Sequence, residues 1–107
     1  MNVSQAVGSL LYVRVQTAVT KNGINYDPTG DEVAMAFLPA DISPTSGDWN
    51  AGVWETIGNP PWATYNALCL VGPTGTFVPT QGVYSIWVRV TDDPEVPAEM
   101  VGTLTVY

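Results

Sequence analysis

Gln81-Gly82-Val83-Tyr84-Ser85-Ile86-Trp87-Val88-Arg89-Val90-Thr91-Asp92 is the stretch whose pattern decides the fold. Tyr84, Ile86, Val88 and Val90 alternate with Val83, Ser85, Trp87 and Arg89, the period-two signature of a strand with one face on a core. An amphipathic helix would instead repeat its apolar residues three and four apart. No window of adequate length in this chain does so, and nine prolines and ten glycines spread through it would interrupt a helix in any case.

Working outward from this strand, Gly82–Asp92, five further strands are predicted. Leu10–Val19 places Leu11, Val13, Val15 and Val19 on one face and Tyr12, Arg14 and Gln16 on the other. Glu32–Leu38 aligns Val33, Met35 and Phe37, and a short strand is expected at Gly52–Ile57. Thr64–Val71 is nearly continuous in apolar residues at its end, as a strand covered on both faces would be. Glu99–Tyr107 closes the chain and leaves an edge on which another strand can pair. Phe77-Val78-Pro79 reads as a brief strand broken by its proline. Between them stand turn clusters: Asn22-Gly23, Asp27-Pro28-Thr29-Gly30-Asp31, Gly58-Asn59-Pro60-Pro61, Gly72-Pro73-Thr74-Gly75 and Asp92-Asp93-Pro94-Glu95-Val96-Pro97. Strands and turns at this spacing predict one all-β domain over residues 1–107, an antiparallel sandwich of about seven strands with Greek-key connections.

Composition narrows the chemistry. Only 12% of the 107 residues are charged, against about 25% in an ordinary soluble domain. The 46% apolar content argues against disorder. With no histidine, neither His-based catalysis nor a His-ligated metal is available. Cys69, alone, makes neither an internal disulfide nor a zinc cluster, and its place between Leu68 and Leu70 predicts a small buried residue. Net charge −7 opposes nucleic acid binding, which rests on Lys and Arg neutralising phosphates. No apolar run approaches the roughly 18 residues of a membrane span. Met1–Gln5 has no basic region and no long apolar core, so no secretory signal is expected and synthesis in the cytosol is.

The residues left to carry function are aromatic and cationic. Trp87 and Arg89 fall on the outward face of their strand, so the indole needs cover from a loop of this chain, such as the one carrying Trp62, or from a partner. Trp49, Trp54 and Trp62, with Tyr65 beyond them, suit a sugar-stacking platform, a protein interface or a small core under a crossover. Arg14 and Arg89 are two of only three cations, placed to pair with acidic neighbours or with the acidic surface of a second copy. Asp27, Asp31 and Glu32, and again Asp92, Asp93, Glu95 and Glu99, gather in loops. Their spacing fits no calcium loop and reads as solvated acid, and no glycosidase pair is assigned to them. No metal, cofactor or catalytic residue is expected.

Gly82-Val83-Tyr84-Ser85-Ile86 also has the shape of the corner leading into the penultimate strand of immunoglobulin-type sandwiches, where a tyrosine hydroxyl bonds back to the backbone. Tyr84 is then either that corner residue or an ordinary core tyrosine, and Ile86 occupies the place of the second cysteine. Gly82–Asp92, Pro94-Glu95-Val96-Pro97 and Val101-Gly102-Thr103-Leu104-Thr105-Val106, with Tyr26–Asp31, Val33 and Trp54-Glu55 before them, resemble small Ig-like proteins encoded among the structural genes of tailed phages, especially those of actinobacteria. The resemblance implies a non-enzymatic virion protein: a capsid decoration or minor capsid protein. The alternative is a carbohydrate- or receptor-binding Ig-like module of a tail or baseplate. Its partners would be the major capsid protein, tail subunits or copies of itself, with a glycan as a further option. Trp87, Arg89, Arg14, Trp49, Trp54 and Trp62 are the expected contact residues.

Overall fold

The computed structural model describes residues 2–17, 19–21, 24–26, 28–39, 42–59, 63–91 and 98–107. In chain order the strands are β1 (Asn2–Gln5), β2 (Leu11–Thr17), β3 (Val19–Lys21), β4 (Ile24–Tyr26), β5 (Glu32–Pro39), β6 (Asn50–Ala51), β7 (Val53–Ile57), β8 (Thr64–Val71), β9 (Gly82–Thr91) and β10 (Ala98–Val106). A short 3-10 turn lies at Pro28–Gly30. Among the described residues the fold is all-β. One open sheet has the order β1-β10-β9-β5-β6 and a second the order β2-β8-β7, with β3 and β4 forming a small ladder of their own. Neighbours are antiparallel except β1 and β10, which run parallel.

The alternation of the deciding stretch is what joins the two sheets. Ile86, Val88 and Val90 of β9 turn inward with Val33, Met35 and Phe37 of β5 and with Leu104 and Val106 of β10. They meet Val13 and Val15 of β2 and Ala67, Cys69 and Val71 of β8, giving a sandwich-like pair of layers. Each such large aliphatic side chain contributes about 1.5–3 kcal/mol on burial. Tyr84 stands at the end of this core, edge-on to Phe77 at 5.7 Å, and its hydroxyl donates to the Thr80 carbonyl at 2.8 Å. That is the backward bond expected of a corner tyrosine.

Several expectations are corrected. The strand predicted over Leu10–Val19 stops at Thr17, because β2 pairs with β8 while Val19–Lys21 pairs with β4. The short strand at Gly52–Ile57 begins at Val53, since Gly52 sends its amide to Val33 of the other sheet at 2.9 Å. Phe77 forms a single bridge to Val71 instead of a strand, and stacks on Phe37 at 4.9 Å. The edge expected on the last strand is occupied: β1 pairs with β10 from Asn2–Thr103 to Gln5–Val106. That parallel pair also departs from the purely antiparallel sandwich.

β1 is held there by a polar residue. Gln5 is 2% exposed, and its amide nitrogen donates to the Val71 carbonyl at 3.3 Å and to Ser9 at 3.4 Å, linking one sheet to the other. Gly72 makes the approach possible. It has φ 134°, and a Cβ there would run into the Ser9 carbonyl oxygen. No other residue type fits that position without moving the backbone.

Candidate functional site

Gly52 stands at a crossing between the sheets, beside a surface cleft. β6 lies on the edge of the five-stranded sheet, pairing Ala51 with Ala34 and Asn50 with Met35, and β7 belongs to the other sheet. The chain thus changes sheets across one residue. A Cβ on Gly52 would lie 3.0 Å from the Leu68 carbonyl, which explains the small residue. Trp49 and Trp54, on either side of this crossing, are brought to the same cleft of about 450 Å³.

Local bonds fix both rings. Asp48 accepts from the Thr45 amide at 2.8 Å and from its hydroxyl at 2.9 Å, and these bonds hold the Asp48 carboxyl below its ordinary pKa. Asn50 donates to the carbonyls of Met35 at 3.2 Å and Asp48 at 3.3 Å, clamping the segment that carries Trp49 to β5. Trp54 packs against the core and donates its indole N–H to the Asp31 carbonyl at 2.8 Å. Trp54 thus rests on the main core while still lining the cleft.

Arg89 completes the cleft. On β9 it stands opposite Ala34, a side chain small enough to leave room beside it. Its guanidinium carbon lies 4.6 Å from the centroid of the Trp49 ring, a cation–π arrangement. Asp31, Glu32 and Thr91 also line the cleft. Two polar atoms there, Arg89 Nε and Asp31 Oδ2, are buried with no hydrogen-bond partner among the described residues. Groups left in that state each cost about 1–3 kcal/mol, and more when charged.

Trp87 does not line the cleft. On β9 it stands opposite Ala36 of β5 and Met100 of β10, and it is half-buried with its indole N–H shielded from solvent. The outward strand face is correctly read, but the ring on it is not openly displayed. Arg14 lies on the other sheet, where its Nε meets Glu55 Oε1 at 2.8 Å and its terminal nitrogen meets Oε2 at 3.0 Å. Asn66 donates to the same carboxylate at 3.0 Å. The bond from Asn66, and then those from Arg14, keep the Glu55 pKa below the ordinary value. Trp62 lies outside the described residues, as do Asp27, Asp92, Asp93 and Glu95. Cys69 is buried, which pushes its thiol pKa up, and its sulfur sits 3.0 Å from the Thr76 hydroxyl.

The structure thus unites Trp49, Trp54 and Arg89, and separates Arg14 and Trp87 from them. Asp31 and Glu32 were legible only as members of an acidic turn. Their position beside two tryptophans depends on the pairing of β5 with β6 and β9, which no local signal carries. Compared with family models, curated proteins and solved structures, the chain gives no match.

Proposed function

We propose that this chain is an Ig-like Greek-key sandwich acting as a non-enzymatic structural protein of a tailed-phage virion, a capsid decoration or minor capsid protein made in the host cytoplasm. The observation that carries the fold reading is the strand order. β1-β10-β9-β5-β6 facing β2-β8-β7, with the Tyr84 hydroxyl on Thr80, is the arrangement expected of a variable-type immunoglobulin sandwich. The resemblance of Gly82–Asp92 and its flanking segments to phage virion proteins supports the assignment to a particle. The outer face of the three-stranded sheet supports docking. Tyr12, Val53 and Ile57 are 56%, 55% and 54% exposed there around the Arg14–Glu55 pair, a surface with much apolar area and little charge.

The partner is the major capsid protein or a tail subunit. Mass spectrometry of purified particles tests the reading, and the chain is expected in stoichiometric amount. A double substitution Tyr12→Asp and Val53→Asp, folded by circular dichroism, is expected to be lost from particles. Absence of the parent chain from particles would overturn the virion assignment, and normal incorporation of the double variant would overturn the docking face.

A further inference from the structure

The cleft at the Gly52 crossing has a different character from the docking face, and it points to a ligand of its own. We propose that it binds a neutral saccharide, with Trp49 and Trp54 providing aromatic surface, Arg89 donating to a sugar oxygen and Asp31 accepting from a sugar hydroxyl. The proposal goes beyond the virion reading and stands whether or not the chain is found in particles.

Four observations converge on this class. The volume, about 450 Å³, falls in the roughly 300–1,000 Å³ range of small-molecule sites. Two indoles and one guanidinium, already stacked on Trp49, offer flat surfaces for the C–H faces of a ring. A donor, Arg89 Nε, and an acceptor, Asp31 Oδ2, are both desolvated and unsatisfied among the described residues. Both residues are only partly buried and line the cleft, so a ligand seated there can supply an acceptor to the Arg89 guanidinium and a donor to the Asp31 carboxylate. Hydroxyl groups do this within a single molecule, since each both donates and accepts.

The charge balance disfavours an anion. Asp31 and Glu32 face Arg89 across the same cleft, so an anion gains one cation and meets two carboxylates. A cation would gain the two carboxylates but bring no acceptor for the Arg89 guanidinium, which a neutral hydroxyl supplies. The structure gives no ion pair between Arg89 and Asp31, so the two groups remain separate contact points.

Proton–nitrogen correlation spectra of the full chain, with indole signals assigned by single Trp→Phe variants, provide the test. The probes are chitotetraose, maltotetraose and mannotetraose, each taken to about 10 mM, with tetragalacturonate as the charged comparison. At least one neutral probe is expected to shift the Trp49 and Trp54 indole signals saturably while Trp87, outside the cleft, stays in place. Asp31→Asn and Arg89→Lys, each checked for a folded spectrum, are expected to weaken that binding about tenfold or more, the fold-change of losing one charged hydrogen bond. Wild-type spectra unmoved by every neutral probe would overturn the proposal. So would tighter binding of tetragalacturonate, or shifts that persist at full affinity in both variants. Because the wild-type titration needs no substitution, a variant that fails to fold does not rescue the proposal.

Discussion

The two sheets turn very different faces outward. On the five-stranded sheet, β5 is buried on both sides: Ala34, Ala36 and Leu38 are as inaccessible as Val33, Met35 and Phe37 of the core. Trp87 and Arg89 on the adjacent β9 stand beside Ala36 and Ala34, and the Trp49 segment folds onto Arg89. Farther along the same sheet, Val83 and Met100 remain exposed. On the three-stranded sheet, β2 alternates from Tyr12 onward, with Val13 and Val15 buried and Tyr12, Arg14 and Gln16 exposed, while Leu11 at its start is exposed as well. Its outer surface carries the Arg14–Glu55–Asn66 cluster. A large flat side chain beside alanine closes the first face, while the second is left open by the absence of any such arm among the described residues. On the readings proposed above, the first face holds a small ligand at its rim and the second receives a broad partner.

The sharpest way to break this comparison is to remove the cover. Trp87→Ala is expected to cost about 2–4 kcal/mol in urea unfolding, whereas Tyr12→Ala on the open face is expected to stay within about 0.5 kcal/mol. Equal losses would show that the two faces do not differ in the way described. Overpacking probes the same contrast from the other side. Ala36 is fully buried although it lies on the outward face, so Ala36→Leu is expected to cost about 1–3 kcal/mol. A neutral result would mean that the face is not closed.

Tyr84→Phe probes the corner that leads into β9. Loss of the hydrogen bond to Thr80 is expected to lower stability by about 0.5–1.5 kcal/mol with the fold unchanged by circular dichroism. A wild-type midpoint in the variant would reduce Tyr84 to a core ring. The smallest effect belongs to the open face. The Glu55 pKa is depressed in the folded chain, so its stabilising contribution is present above the ordinary value of 4.5 and is lost as pH falls through the lower folded value. Glu55→Gln lacks that contribution. The gap in thermal midpoint between wild type and variant is therefore expected to close as pH drops below 4.5. A constant gap would remove the carboxylate from the account.

Much of this was legible in the residues, and the limits have physical causes. The inward rows of β5 and β9 and the burial of Cys69 follow from period-two alternation and from hydrophobicity, which are local properties. β1 was not legible, because Asn2-Val3-Ser4-Gln5 has no apolar alternation of its own. It becomes a strand by pairing with β10 and by the burial of Gln5 against Val71. The cleft was half legible: the clustered tryptophans and the outward Arg89 are visible in the chain, but their meeting with one another and with Asp31 and Glu32 is not.

What the sequence determined by itself was the class of molecule. An absence of histidine, a single cysteine, few charges and alternating apolar residues leave an all-β chain without His-based catalysis, a His-ligated metal or an internal disulfide, because those require particular side chains. What only the tertiary structure decided was which outward residues are covered and which unpaired groups meet. Side-chain direction in a strand is set locally, but the neighbour across the ladder and the segment folded over it come from distant parts of the chain. Trp87 and Tyr12 both point outward by the same alternation; one lies shielded beside Ala36 and Met100, and the other stands in solvent.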